Sequence, residues 1–143
     1  MKKIILPLFL MLSAASAAFA QCDKKMVLTS SKTEYLNGSY EVQETKDEKI
    51  VVEYGKSDIT IINDDNQDEK LTGTVSSYTC DWKTPLKAGK TILKAVLVDK
   101  SGDVKKVTIT IEGKDGKVTF LGEMDDDPGR KIRVTADKFE EKS

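Results

Sequence analysis

Histidine is absent from this 143-residue sequence, and only two cysteines and one tryptophan occur. Without histidine, Ser-His-Asp and Cys-His catalysis are excluded, and so is the usual histidine-containing zinc site. The cysteines stand too far apart for a C-x-x-C redox motif, and no glycine-rich phosphate loop occurs. A hydrolase with paired carboxylates is the remaining class of enzyme, but the 24 acidic residues are so numerous that no one pair stands out. We therefore predict that the protein is not an enzyme and has no catalytic residues and no cofactor.

The sequence also lacks an excess of charge of one sign. It has 23 basic and 24 acidic residues, mixed along the chain, for a net charge of −1. No basic block suggests binding to nucleic acid, and no basic amphipathic helix suggests a membrane surface. We expect neither a nucleic acid nor a stable membrane anchor among its partners.

Two acidic stretches are candidate calcium loops. Asp64-x-Asn66-x-Asp68 places oxygen ligands at alternating positions, and Asp125-Asp126-Asp127 is a second acidic run. The first loop has Glu69 where a calcium loop needs glycine, and Val75 where it needs a bidentate glutamate. We therefore interpret both loops as solvated hairpin tips and predict no metal site.

Long hydrophobic runs are missing except near the start of the chain. Residues 4–12 are mostly apolar, follow Lys2 and Lys3, and precede the cleavage pattern Ala18-Phe19-Ala20. The apolar run is shorter than the ~20 residues that cross a bilayer. Residues 1–20 are therefore interpreted as a secretory signal peptide, with a retained membrane anchor as the alternative.

Cleavage after Ala20 leaves residues 21–143 as one exported domain, periplasmic or extracellular. Bacterial lipoproteins have a small residue directly before the anchored cysteine, and Gln21 stands before Cys22. An even pair of cysteines in an exported chain is read first as a disulfide, with two unpaired thiols as the alternative. We predict a Cys22–Cys80 bond rather than a lipid anchor.

Apolar and polar residues alternate with a period of two through most of the chain, as in Val104–Glu112. Short turn signals separate these runs about every ten residues, which leaves no room for the crossover helices that parallel strands need. The pattern predicts an all-β antiparallel meander of about eight or nine strands. The charged tail, residues 137–143, is expected to form one helical turn or to fray. The predicted inward residues are Ile50, Val52, Tyr54, Ile59, Ile61, Leu93, Leu97, Val107, Ile109, Ile111, Val118, Phe120, Ile132 and Val134.

Two architectures fit this meander: an up-and-down barrel and a two-sheet sandwich. Short hairpin loops favour the barrel, and Trp82 follows Cys80 too closely for the cysteine pair and core tryptophan of a sandwich. The size, export signal and strand count resemble those of the small secreted lipocalin-like (calycin) barrels of bacteria. This resemblance is architectural and implies a small lipocalin-like barrel over residues 21–143, with the sandwich as the alternative.

An eight-stranded barrel is just wide enough to be filled by side chains or to hold one small ligand. The leading hypothesis is an exported, non-enzymatic barrel that binds a small hydrophobic or amphipathic molecule. The alternative is an exported interaction domain with a filled core that contacts a protein or a glycan. A cavity of about 300 Å³ or more at one end distinguishes the two.

The candidate ligand-binding residues are Trp82, Lys83 and Lys87, placed at a barrel rim, with Tyr54 and Phe120 inside. Lysines beside an aromatic residue suit an anionic head group, such as that of a fatty acid. The competing interpretation is that Trp82 packs over one end of the core while the lysines remain in water.

The signal-peptide interpretation predicts that exported protein begins at Gln21. Intact-mass measurement on material collected outside the cytoplasm should give the mass of residues 21–143. An added mass equal to a diacylglycerol group on Cys22 would show that the protein is a lipoprotein.

Overall fold

A computed structural model describes residues 21–63 and 69–142 of the chain. The strands are β1 (Met26–Leu36), β2 (Val42–Tyr54), β3 (Asp58–Asn63), β4 (Leu71–Thr84), β5 (Ala88–Val98), β6 (Val104–Lys114), β7 (Lys117–Met124), β8 (Asp127–Thr135) and β9 (Lys138–Glu141). The predicted signal segment and the centre of the first acidic loop, residues 64–68, lie outside the described residues.

The strands form one antiparallel sheet in the order β2-β3-β4-β5-β6-β7-β8-β1-β9. The sheet closes because β1 also pairs with β2. The protein is therefore an eight-stranded antiparallel barrel with one extra strand, which confirms the predicted fold class and is consistent with a lipocalin-like architecture. The sandwich alternative is wrong, since a sandwich needs two separate sheets.

Closure of the barrel depends on β1, which is paired along both of its edges. On one edge it pairs with β2 from Met26↔Tyr54 to Leu36↔Val42. On the other edge, β8 pairs with the second half of β1 and β9 pairs with the first half, in one continuous register. β8 and β9 thus act as a single strand that is interrupted opposite residues 30–32.

The expectation that the charged tail forms a helical turn or frays is wrong. Lys138–Glu141 forms β9 because the first half of β1 offers an unpaired edge there. Phe139 also stacks on Trp82, with ring centroids 5.7 Å apart. One partly buried aromatic residue and a set of backbone hydrogen bonds thus fix a segment whose composition is polar.

Two strands are longer than their apolar patterns indicate. β2 begins at Val42 and includes the charged stretch before Ile50, and β4 runs for 14 residues through a segment rich in Thr and Ser. Strand ends that extend beyond the apolar core need no apolar alternation, because pairing satisfies their backbone groups whatever their side chains are.

The predicted inward residues belong to the buried core cluster, except that Ile50, Ile61 and Ile132 are partly buried and pack against it. The large rings of Tyr54 and Trp82 fill one end of the barrel, where β2, β4 and β6 end, here named the closed end. The other end, where β1, β3, β5 and β7 end, is named the open end. The two ends differ in how their side chains fill the interior.

The segment before β1 covers the closed end. Cys22 and Cys80 form the predicted disulfide, with Cα atoms 5.8 Å apart. The Gln21 side chain accepts a hydrogen bond from the Leu86 N–H at 2.8 Å, and the Tyr78 hydroxyl donates to the Cys22 carbonyl. A sulfur atom held in a disulfide cannot also carry a thioether-linked lipid. In the two described stretches, no helix has the length and apolar character needed to cross a membrane.

Replacing both Cys22 and Cys80 with serine should lower the free energy of unfolding by about 2–4 kcal/mol, because the unfolded chain then regains the freedom that the crosslink removes. Urea denaturation of the oxidised protein and the double variant measures this difference. Wild-type protein kept in reductant is the matched control and should unfold like the variant. Equal urea midpoints for oxidised and reduced protein would contradict a stabilising bond.

Candidate functional site

The closed end is tightly packed around Trp82. This side chain is 4 % exposed, and its Nε1 donates a hydrogen bond to Thr91 Oγ1 at 2.8 Å. A Cβ atom at Gly113 would lie 2.5 Å from the indole ring, and one at Gly89 would lie 2.4 Å from the Trp82 Cα. β5 and β6 thus have glycine at the two positions where their backbones approach Trp82 most closely. This close packing leaves no room for a ligand beside the indole ring.

The five candidate residues from the sequence are not brought together. Lys83 and Lys87 are exposed at the closed end, in the same region as buried Trp82. Tyr54 lies in the core, where burial raises the pKa of its hydroxyl. Phe120 alone among the five lines the cavity described next. Ligand contact by the other four stays a prediction.

A cavity of about 490 Å³ occupies the open half of the barrel. It reaches solvent, since the exposed residues Gln43, Glu44 and Arg130 contribute to its lining. Its apolar lining consists of Leu36, Ile50, Ile61, Leu71, Leu97, Val107, Ile109, Phe120, Met124, Ile132 and Val134. The volume lies within the range of small-molecule sites, about 300–1,000 Å³.

The open half is hollow because its strands place charged residues and a glycine, rather than large apolar side chains, along part of the cavity wall. The first part of β2 contributes Glu44, Lys46 and Glu48 to the lining, and charged groups of this kind do not pack into a dry core. On β7, Gly122 also lines the cavity and has no side chain with which to fill the space. The closed half instead has Tyr54 and Trp82, whose large rings leave no comparable space.

A hydrogen-bonded polar network lies on the β1–β2 side of the cavity. The Tyr35 hydroxyl donates to Glu48 Oε1 at 2.5 Å, and Asn63 Nδ2 donates to Glu48 Oε2 at 3.1 Å. Lys46 Nζ lies 5.1 Å from the centre of the Tyr35 ring, within cation–π range. Burial and the hydrogen bond to Glu48 raise the pKa of Tyr35 above its ordinary value.

A second Tyr–Lys–Glu group lies at the rim. Lys131 Nζ donates to Glu123 at 2.7 Å and sits 4.4 Å from the centre of the Tyr40 ring. The hydrogen bond to Glu123 raises the pKa of Lys131, which therefore stays charged although its side chain is mostly buried. Tyr40 has a φ of 64°, and Asn37 holds this turn by accepting hydrogen bonds from the Ser39 and Glu41 N–H groups.

A register shift in β1 decides which of its residues enter the cavity. Met26, Leu28 and Ser30 are buried in alternation, but the pairing with β2 then shifts between Ser30 and Lys32. As a result Lys32 is exposed and Thr33 is buried. Thr33 lines the cavity, and its Oγ1 has no hydrogen-bond partner among residues 21–63 and 69–142.

Sequence reasoning missed Thr33, Lys46 and Glu48 as lining residues. The signal for Lys46 and Glu48 was present, because they continue the alternation of Ile50, Val52 and Tyr54 towards the start of β2. No comparable signal existed for Thr33, since a register shift reverses the inward face without a mark in the sequence.

Within the part of the chain that is described, no group of three or more His, Cys, Asp or Glu side chains is arranged to hold a metal ion. The centre of the Asp64 loop lies outside that part. The candidate site is thus the apolar cavity itself, with its polar side and its rim.

The geometry defines the class of protein as a closed antiparallel barrel that is filled at one end and hollow at the other. Comparison of the chain with protein-family models, with curated proteins and with solved structures finds no match.

One buried and two partly buried tyrosines make the fold sensitive to alkaline pH. Burial raises the pKa values of Tyr35, Tyr54 and Tyr78 above the ordinary value of about 10. Their contribution to stability is fully present below about pH 10 and is lost as the pH rises through the higher folded-state values. Tyrosinate absorbance at 295 nm should therefore rise at higher pH in native protein than in urea-unfolded protein, and the urea midpoint should fall above pH 10.

Tyr35→Phe is the matched variant, because it removes one titrating group and keeps the ring. Its urea midpoint should fall less steeply above pH 10 than that of wild type. Superimposable absorbance titrations in the native and unfolded states would contradict the burial of these hydroxyls.

Proposed function

We propose that this protein is an exported, non-enzymatic barrel that binds one small hydrophobic or amphipathic molecule in the cavity of its open half. The single observation that carries the proposal is the 490 Å³ apolar cavity that reaches solvent at one end. An interaction domain with a filled core, the alternative from the sequence, does not account for this space, because interiors of folded proteins are normally close-packed.

The lining supports a ligand with a largely apolar body. All eight strands of the barrel contribute side chains to the apolar part of the wall, including Leu97, Ile109 and Phe120. Each CH₂ group that moves from water into such a site contributes about 0.8 kcal/mol. A body of moderate size therefore reaches micromolar affinity, about −8 kcal/mol, after the cost of its immobilisation.

The rim supports a polar group on the same ligand. Lys46 and Arg130 contribute positive charge to the lining, and Glu44 and Glu48 contribute negative charge. This balance does not select a strongly anionic head group, unlike the lysines near Trp82 from which the sequence suggested a fatty acid. An amphipathic molecule with a neutral or zwitterionic polar group suits the mixed rim better.

Export and the absence of enzymatic activity belong to the same proposal. The Cys22–Cys80 disulfide is compatible with an oxidising compartment outside the cytoplasm. A sequence without histidine lacks the most common general base, and the candidate site is an apolar cavity rather than a set of paired catalytic groups. A barrel that holds a small molecule outside the cytoplasm accounts for both features.

The neutral dye N-phenyl-1-naphthylamine tests the proposal, because its fluorescence increases in apolar surroundings. Titration into the mature protein should give saturable fluorescence with a dissociation constant in the micromolar range. Ile109→Trp places an indole in the cavity and should weaken binding about tenfold or more. Trp82 is a poor reporter of this binding, since it lies at the opposite end of the barrel.

Thr110→Trp is the matched control, because Thr110 neighbours Ile109 on β6 but does not line the cavity. This variant should bind the dye like wild type, and circular dichroism should show that both variants keep the barrel. Unsaturable fluorescence, or equal binding by the two tryptophan variants, would remove the cavity as the binding site.

A further inference from the structure

We infer that Gln21 is a modification site, where the side chain closes on its own α-amine and forms pyroglutamate once the chain is cleaved after Ala20. This inference rests on the cleavage that belongs to the proposed export, and it is independent of ligand binding. It follows from the position of Gln21, from the unequal environments of its two amide atoms and from the charge that cleavage creates.

Gln21 is the first residue of the exported protein, and the fold holds it against the closed end. The disulfide fixes the next residue, Cys22, to β4. The Tyr78 hydroxyl donates a hydrogen bond to the Cys22 carbonyl, and the Lys24 N–H donates one to the Gln21 carbonyl at 3.3 Å. Chain ends fray unless contacts of this kind hold them. Gln21 is held firmly enough to be only 2 % exposed.

The two amide atoms of the Gln21 side chain are used unequally. The Leu86 N–H donates to Oε1 at 2.8 Å, and this contact fixes the orientation of the amide, because only the oxygen accepts a hydrogen bond. Nε2 is buried and has no hydrogen-bond partner within the described part of the chain. Buried polar groups without a partner are rare and unfavourable. Cyclisation removes Nε2 and keeps Oε1 as the carbonyl oxygen of the ring.

The reaction balances without a co-reactant. The lone pair of the α-amine attacks Cδ, the new N–Cδ bond closes a lactam ring, and the Cδ–Nε2 bond breaks. Nε2 takes one proton from the α-amine and leaves as ammonia. No atom is oxidised or reduced. Because both reacting groups belong to one residue, no other molecule has to reach the buried amide.

Cyclisation also removes a charge that this position accommodates poorly. A free α-amine is mostly protonated at neutral pH. On a residue as buried as Gln21, that charge loses much of its hydration. The nearest acidic residue in the sequence, Asp23, already pairs with Lys56. The lactam nitrogen carries no charge, so the ring suits the closed end better than a free terminus does.

Peptide mapping by mass spectrometry, on reduced protein collected outside the cytoplasm, tests the site. The tryptic peptide of residues 21–24 should be lighter than its unmodified mass by one ammonia molecule, about 17 Da, and the intact protein should be lighter by the same amount. An amine-labelling reagent should react with Lys24 of this peptide and not with its first residue. Mapping is needed because Asn37-Gly38 also loses ammonia when it forms a succinimide.

Gln21→Glu is the matched variant, because it keeps the shape of the side chain and an oxygen for the Leu86 N–H but has no ammonia to release. Its peptide of residues 21–24 should keep a free α-amine over the same period. An isotope-labelled synthetic peptide of residues 21–24, added at collection with its glutamine open, should stay largely open. Equal ring closure in the synthetic peptide and in the protein would show an artefact of handling and overturn the inference.

A comparison of stability tests the physical reason. Protein with an open Gln21 is prepared by removing an N-terminal tag, and a glutaminyl cyclase closes the ring in half of the unfolded sample. Both halves are then refolded and oxidised together. The cyclised half should have the higher urea midpoint, because the buried charge and the unpaired Nε2 are gone. An equal or lower midpoint would overturn the fit of the ring to the closed end.

The first residue of the exported protein separates this inference from the proposed function. Protein that begins at Gln21 with a free α-amine overturns the modification and leaves export in place. Protein that retains residues 1–20, or that begins at another residue, overturns both the cleavage and the modification. Dye binding is expected to be the same in every case, because Gln21 does not line the cavity of the open half.

Discussion

The pairing of β1 along both edges is the constraint on which the rest of the structure depends. An open eight-stranded sheet would expose two edges, whereas closure through β1 and β2 removes them. The second edge of β1 needs β8 and β9 together, because β8 covers only its second half. The chain therefore has to bring its first and last strands together before the barrel is complete, which makes closure a contact between residues distant in sequence.

The register shift in β1 accompanies that closure and has a chemical consequence. Before the shift, Met26 and Leu28 face the closed half; after it, Thr33 and Tyr35 face the cavity. Register shifts increase the local twist of a strand, which helps a sheet to curve into a barrel. The same irregularity that curves the wall therefore sets which side chains line the cavity.

The alternating sequence pattern correctly predicted the strands that have one buried face and one exposed face. Strands such as β6 have one apolar face and one polar face, so their period is visible in sequence. β9 is a strand because an edge of β1 is available, not because of its own residues. The fold class and the Cys22–Cys80 bond were thus accessible from sequence. The hollow end could not be predicted from sequence, because its position depends on strand register. The sequence feature that suggested a ligand site, Trp82 with its neighbouring lysines, lies at the closed end instead.

The contrast between the two ends follows from a balance of stability and space. An unfilled interior forfeits packing contacts, and each missing contact reduces the stability that burial provides. The closed end offsets this loss through dense packing around Trp82 and through a disulfide that ties residue 22 to β4. Charged residues on the first part of β2 meanwhile keep the open end wet and prevent it from collapsing into a second dry core. One half of the barrel therefore supplies the stability that lets the other half remain hollow, and a ligand that bound only to the folded barrel would add to that stability.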